Sequence, residues 1–460
     1  MKTNIYENKS LTKLIFIFGI PSILSLMVEM LTGIVDTAFA GNLPYIGEDA
    51  LSAMALISPV LGIFTALQTL FAMSTGILIA KYLNDLDKRR DSYVTGMIMS
   101  VVISMATSLY CSFTLPQILL ILGAEGEIYH LAKQYLQIQL FSNVFSSIGY
   151  TLTCCIRAFG FPKAEVMLIS TSVFVNIICN FVFAFLLKMG MAGLALGTLV
   201  SESLCAVCSI LFLMRKNLWI AKGTLSASGF LCSALDLFKI GIAQTVIQIL
   251  GGCTGFVLNA RLLSLGSMAH VAAWSVVQRI YTFILMPIVG LTQGVQNIIS
   301  YFSGNDAPEK IKKVSNLTMT FCSSYGFLAL LLVWLFGQNL ASVFGGSSEM
   351  LAIARVILNI VFLGFPFIGI LYTDMTLLQV TGHEFSSVLL ILSRQVFFLI
   401  PLVYIIPSLA VFGNWGIAPI ISLFCCIPIA DLLAVVFAWI VKKRILFLQK
   451  QMSWNAIDHD

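Results

Sequence analysis

Twelve apolar stretches, each long enough to cross a hydrocarbon core as a helix, follow one another along the chain and leave little room for anything else. They read as 14–38, 50–80, 94–121, 131–156, 165–187 and 190–214, then 237–262, 269–300, 314–338, 351–379, 383–410 and 416–441. Inside a bilayer every backbone N–H and C=O must be satisfied within its own segment, so such stretches fold as helices. With 59% of residues hydrophobic and only 10% charged, a soluble fold lacks the polar surface it would need. The chain is an all-α integral membrane protein. Its net charge of +5 is scattered through short loops and forms no patch for nucleic acid. The eleven cysteines include Cys154-Cys155, Cys205, Cys208 and Cys425-Cys426, which lie in apolar runs as small hydrophobes rather than metal or redox ligands. The first apolar stretch has full span length and no small-residue cleavage site, so no cleavable signal is expected.

The loops set the orientation. One alternating set carries twenty basic residues, including Lys81, Lys88, Arg89, Arg90, Arg157, Lys163, Arg215 and Lys442; the other carries Lys133, Lys188, Arg261 and Arg355. The positive-inside rule then places both termini in the cytoplasm. Arg279 and Arg394 fall inside spans, and Arg394 is expected to snorkel to a cytoplasmic helix end.

A repeat at an offset of about 220 residues orders the spans. Gly19-Ile20-Pro21 corresponds to Gly241-Ile242-Ala243, and Lys81-Tyr82-Leu83-Asn84-Asp85 to Tyr301-Phe302-Ser303-Gly304-Asn305. Arg157-Ala158-Phe159-Gly160 corresponds to Gln379-Val380-Thr381-Gly382, and Gly193-Leu194-Ala195 to Gly416-Ile417-Ala418. Each half has six spans, so the two six-helix bundles share one topology about a pseudo-two-fold axis along the membrane normal. The organisation read this way is 1–214 and 237–441 for the bundles, 215–236 for a cytoplasmic linker and 442–460 for a cytoplasmic tail. A substrate path is expected between the halves.

The repeat is also a control for each polar residue. Asp36 corresponds to Leu258, or to Asn259 one residue on; Asn176, Asn180, Thr198 and Glu202 correspond to Phe398, Leu402, Ile421 and Cys425. The pairs Asn176/Asn180 and Thr198/Glu202 are i, i+4 on one helix face, and Glu29 and Asp36 share a face seven residues apart. Singly, such residues often only bond a neighbouring helix. Gathered on one side around an acid at membrane depth, they point to a site for H⁺ or Na⁺. In the second half Asp374 is the mid-span acid, a candidate for coupling or substrate contact, or else for an ion pair with Arg279 or Arg394. Asp431 carries less weight. Met and Phe are abundant, 18 and 34 residues, and such walls suit large amphipathic ligands, although most of these side chains face lipid or core.

Three motifs carry a family resemblance: Gly19-Ile20-Pro21 through Val35-Asp36-Thr37-Ala38-Phe39-Ala40-Gly41; Gly290-Leu291-Thr292-Gln293-Gly294-Val295-Gln296 with Tyr301 and Gly304; and Leu392-Ser393-Arg394-Gln395-Val396-Phe397 with Ile400-Pro401 and Gly413 to Gly416. Together, over nearly the whole chain, they resemble the MATE (multidrug and toxic compound extrusion) transporters, and the DinF-like bacterial branch in particular. The resemblance implies a V-shaped pair of bundles exporting amphipathic or cationic drug-like compounds by alternating access, in exchange for H⁺ or Na⁺, with no other cofactor. It implies a monomer whose partners are small organic substrates and membrane lipids. It places the branch's coupling site on Asp36, Asn176 and Thr198; the branch's further Asp falls on Asn180, a departure, with Glu202 as a candidate substitute. The seventh-span acid of another branch would fall near Gly251 and is absent. Having one acid fewer tilts the expected coupling ion toward H⁺.

A lipid-linked precursor flippase or a natural-product exporter would share this fold, but the former should hold basic residues for a pyrophosphate. An ion channel should repeat a polar ring around its pore. An intramembrane enzyme needs a nucleophile–base or metal pair, and His130, His270, His383 and His459 all lie near loops or ends.

Overall fold

A computed structural model describes residues 5–219, 227–266, 268–343, 345, 347–412 and 419–457. Residues 220–226 of the expected linker, the Gly413–Gly416 motif with its repeat anchor Gly416-Ile417-Ala418, and the end of the tail lie outside them. Twelve long helices run through the described residues: α1 (Leu11–Gly41), α2 (Gly47–Lys81), α3 (Leu86–Ile121), α4 (Gly126–Ala158), α5 (Pro162–Leu186), α6 (Gly190–Arg215), α7 (Ala227–Leu265), α8 (Met268–Gly304), α9 (Pro308–Ser342), α10 (Ser348–Val380), α11 (beginning at Glu384 and ending at Phe412) and α12 (Pro419–Ile457).

Eleven of the twelve are apolar enough to be recognised as spans by hydropathy alone; α4 is the exception. The reason is its place in the packing. It lies among α2, α3, α5 and α6, and it turns Ser142, Asn143, Ser147 and Thr151 inward. Three of them bond across to α3: Thr151 with Ser100 at 2.8 Å, Asn143 Nδ2 to Ser108 Oγ at 2.9 Å, and Ser147 Oγ to Ser100 O at 3.2 Å. A helix enclosed by helices can be polar where a lipid-facing one cannot.

Helix ends follow local chemistry. Asp85 accepts from Lys88 N–H at the start of α3, Ser347 from Met350 N–H at the start of α10, and Pro162 opens α5, where no N–H is needed. The turns joining the fourth and fifth helices of each half place Gly160 at φ +91° and Gly382 at φ +86°, a left-handed conformation that a side chain strains. The two glycines are equivalent in the internal repeat. Regular helix gives way at three places: α5 becomes π-helical over Phe181–Leu186, α11 over Ser393–Leu399, and α10 tightens to a 3-10 turn over Phe362–Gly364.

The chain forms two compact units. The first is Met1–Ile249 with Gln293–Ile311; the second is Leu250–Thr292 with Lys312–Asp460. Thus α7 and α8 are each shared. In the first unit the start of α7 packs on α2 through Gly241, against the Leu70 backbone, and Thr245, which donates to Ala66 O at 3.2 Å. The end of α8 packs through Gly294 on Phe18 and Gly19, through Ser300, which donates to Ile77 O at 2.6 Å, and through Gly304 on Lys81 O. The segment before α1 joins the same end. Tyr6 stacks on Tyr301 at 4.5 Å and donates to Ala158 O, while Tyr301 donates to Glu7 Oε1 at 2.6 Å. At the opposite end of this unit Ala40, Ala50, Leu119, Leu136, Met191 and Leu194 belong to a tight apolar core.

In the second unit Arg394 does not snorkel. Its Nε donates to Asp431 Oδ1 at 2.6 Å and its Nη2 to Tyr281 at 3.2 Å. Asp431 is 1% exposed, and a buried carboxylate holds its guanidinium in place more strongly than an interfacial position attracts it. Asp374 pairs with Lys442 Nζ at 2.6 Å, rather than with Arg279 or Arg394.

Candidate functional site

Three helices of the first unit bring the polar set together. On α1, Asp36 is buried one turn before Ala40, a member of the apolar core. On α5, Asn176 and Asn180 project one turn apart on the same face and are fully enclosed. On α6, Thr198 lies one turn beyond Leu194 of that core and donates to its carbonyl at 3.2 Å. The side chains form one hydrogen-bonded line. Asn180 Nδ2 donates to Asp36 Oδ1 at 2.6 Å and to Asn176 Oδ1 at 3.1 Å; Asn176 Nδ2 donates to Thr198 Oγ1 at 3.4 Å.

Gly197 makes this approach possible. A Cβ there would collide with Asn180 Oδ1, so only glycine lets α6 come this close to α5. The same Asn180 oxygen is buried with no hydrogen-bond partner. Directly after Asn180, α5 turns π-helical, a distortion often found beside functional residues. Tyr135 of α4, within the apolar core, lies beside Thr198 and within electrostatic reach of Asp36. Sequence reading passed over Tyr135 because a single Tyr in an apolar span looks like core.

The other candidates divide. Glu202 is half-buried one turn from Thr198, beside Ser146 of α4 and within electrostatic reach of Asp36. Glu29 is exposed on α1, near Glu202, Glu165 and Arg157. Asp374 belongs to the second unit and has Lys442 as its cation. Arg157, counted with the cytoplasmic loops in the sequence, instead sits in the last turn of α4, 5% exposed, with Nη1 2.9 Å from Glu165 Oε1. Opposite charges flanking the Gly160 turn were the available signal: the turn folds residue 157 back onto residue 165.

Chemically the line can hold a cation in two ways. A proton needs only the Asp36 carboxylate. A sodium ion needs several oxygens at once, and Asp36, Asn176, Asn180 and Thr198 could supply them. The amide hydrogens of Asn180, however, already fill the gap between Asp36 Oδ1 and Asn176 Oδ1, and that amide would have to turn over to admit the ion. Among the described residues no three His, Cys, Asp or Glu side chains are gathered as a metal site.

Comparison with known proteins agrees with this architecture. The profile of the MatE family matches residues 21–182 and 245–405, once in each half. The multidrug export protein MepA of Staphylococcus haemolyticus is 27% identical over 447 residues, covering 96% of both chains. MepA of Staphylococcus aureus is 27% identical over 452 residues, again with 96% of each covered. Among solved structures, the outward-facing conformation of a multidrug resistance MATE family transporter of the MOP superfamily matches with TM-score 0.87 and 19% identity, covering 98% of this chain and 100% of that one. A MATE transporter of Vibrio cholerae matches with TM-score 0.86 and 18% identity over 95% and 97% of the chains. These structures share the twelve-helix fold.

Proposed function

Because the chain belongs to the MatE family, a family of multi-pass membrane transporters rather than enzymes, we propose that it exports amphipathic or cationic organic compounds against a cation gradient. Alternating access carries the substrate across the membrane, and both termini face the cytoplasm. Asp36 is the coupling residue, with Asn176, Asn180 and Thr198 holding it in place. Export of multiple drugs is what the MepA proteins are named for, and full-length similarity to them supports the same substrate class here.

One observation carries the coupling assignment: Asp36 is a buried carboxylate that accepts from a neutral amide, and among the described residues no basic side chain is bonded to it. A carboxylate at membrane depth is costly unless its charge is offset, and an entering cation offsets it. We assign H⁺ as that cation, since the Asn180 amide lies where a sodium ion would have to sit. The paired arginines fit this reading better than a flippase: Arg157 and Arg394 are each committed to a carboxylate, not free for a pyrophosphate.

The test is transport of ethidium in proteoliposomes with ΔpH and ΔNa⁺ imposed separately. Transport driven by ΔpH alone is expected. Transport driven only by ΔNa⁺ would overturn the ion assignment, and indifference to both would overturn coupling.

A further inference from the structure

Among the described residues two basic side chains are buried, Arg157 and Arg89, and only the first has a counter-ion. Arg89 lies in the first turn of α3 and is 7% exposed, yet it belongs to no ion pair. Its Nη1 donates to Leu83 O at 2.6 Å, and its Nε is enclosed with nothing to bond. One neutral carbonyl offsets only part of what a guanidinium loses on leaving water. Arg89 is thus the mirror case of Asp36, whose bonded partner is also neutral.

The acids nearby in the chain are already engaged. Asp85 stands four residues before Arg89, a spacing that suits a helical ion pair. Its Oδ1 instead accepts from Lys88 N–H at 3.2 Å, and its Oδ2 lies 3.7 Å from Lys88 Nζ. Asp87 and Asp91 both pair with Arg90, at 3.3 and 3.0 Å. More positive charge collects on the same turn: Lys81 Nζ and Lys88 Nζ lie 5.6 and 5.4 Å from the centre of the Tyr82 ring. Asp236 of α7, on the Tyr82 side, is in no ion pair with them among the described residues. One helical turn beyond Arg89, Tyr93 has a buried hydroxyl with no partner, so two enclosed donors on one face of α3 lack an acceptor. The turn joins the ends of two spans, α2 at Lys81 and α3 at Leu86, and Leu86 is 70% exposed. Such helix ends stand at headgroup level.

We propose that the α2–α3 turn binds a phosphate-bearing anion, an anionic phospholipid headgroup reaching it from the membrane surface, with Arg89 as its central contact. A phosphate carries the missing negative charge and several oxygens, matching a guanidinium that has donors to spare. Lys81 and Lys88 add attraction across the turn, and Leu86 meets the apolar part of the lipid. The position at a helix end suits anchoring rather than passage of a lipid through the protein. Asn84 of the same turn donates to Asn305 Oδ1 at 3.0 Å and to Tyr301 at 3.3 Å, so a headgroup held here also steadies the last turn of α8. The site is independent of the coupling role of Asp36.

Full-length protein in neutral detergent is titrated separately with short-chain phosphatidylglycerol, short-chain phosphatidylcholine and inorganic phosphate. Melting temperature and the lipid retained in native mass spectra are read. Phosphatidylglycerol is expected to be retained and to raise the melting temperature; phosphatidylcholine, whose phosphate is neutralised by its own choline, is not. Arg89→Gln keeps a donor for Leu83 O but loses the charge, and should weaken phosphatidylglycerol binding about tenfold. Arg89→Lys should recover part of that loss. Lys163→Gln removes an equal charge from the exposed start of α5 and should change nothing. Because Arg89→Gln could impair folding, Lys81→Gln is the second variant, with about a fivefold loss expected. Stabilisation by inorganic phosphate alone, lost in Arg89→Gln, would keep the site and assign it to a free anion. Undiminished binding in either Arg89→Gln or Lys81→Gln, or an equal loss in Lys163→Gln, would overturn it.

Discussion

Asp36 in the first unit and Asp431 in the second are both buried carboxylates inside helical bundles, yet they are satisfied in opposite ways. Asp431 has Arg394 at 2.6 Å, and Arg394 is further held by Tyr281. Asp374 likewise has Lys442. Asp36 has an asparagine amide at the same distance. Among the described residues Asp431 and Asp374 are each completed by a basic side chain of the second unit, whereas Asp36 accepts from a neutral amide, and its proposed coupling role rests on that difference. Burial alone does not separate these acids. The identity of the nearest donor does.

The contrast can be broken most directly at Asp36. Asp36→Asn is expected to abolish gradient-driven ethidium transport, a loss of at least about a hundredfold if the carboxylate is the coupling group, while the protein stays monodisperse on gel filtration. Arg394→Met should do the reverse. By leaving Asp431 unpaired it should cost about 3–5 kcal/mol of stability, read as a large drop in melting temperature, and the double variant Arg394→Met/Asp431→Leu should recover much of it. Asn180→Asp would sharpen the comparison by adding a second acid to the first unit; ΔNa⁺ should then begin to drive transport that ΔpH alone drives in the parent. Lys442→Ala removes a partner that is 32% exposed, so it should cost only about 1 kcal/mol, discounted for solvent screening, with transport retained. Thr198→Ala deletes the acceptor of a 3.4 Å contact and should lower transport only about two- to threefold, in line with the roughly 0.6 kcal/mol typical of hydrogen bonds between membrane helices.

Much of this was legible in the sequence, for identifiable reasons. Span positions follow from hydrophobicity, which the bilayer enforces residue by residue. The gathering of Asp36, Asn176, Asn180 and Thr198 could be anticipated because i, i+4 spacing fixes a helix face and the internal repeat marks which polar residues one half alone retains. Pairings across helices were not legible. Arg394 could reach water or an acid, and only the approach of α12 to α11 decides for Asp431. Arg157 was misplaced because a basic residue three positions before a turn glycine looks like loop, when it is the last turn of a helix. Nor does any pattern announce Gly197, whose role depends on how near α5 comes.

The sharing of α7 and α8 between units has a consequence for how the protein is made. Glu7 meets Tyr301 across 294 positions of chain, and backbone of α1 and α2 at Phe18, Ile77 and Lys81 is covered by the small residues Gly294, Ser300 and Gly304 of α8. The earliest residues to leave the ribosome therefore wait for some of the later ones. A nascent chain halted after α6 holds the six helices that bear Asp36 and its neighbours, yet it lacks the pieces that seal one end of their bundle. Sequence duplication and assembly are thus out of step: two gene-sized halves are legible in the letters, but neither is a finished object on its own.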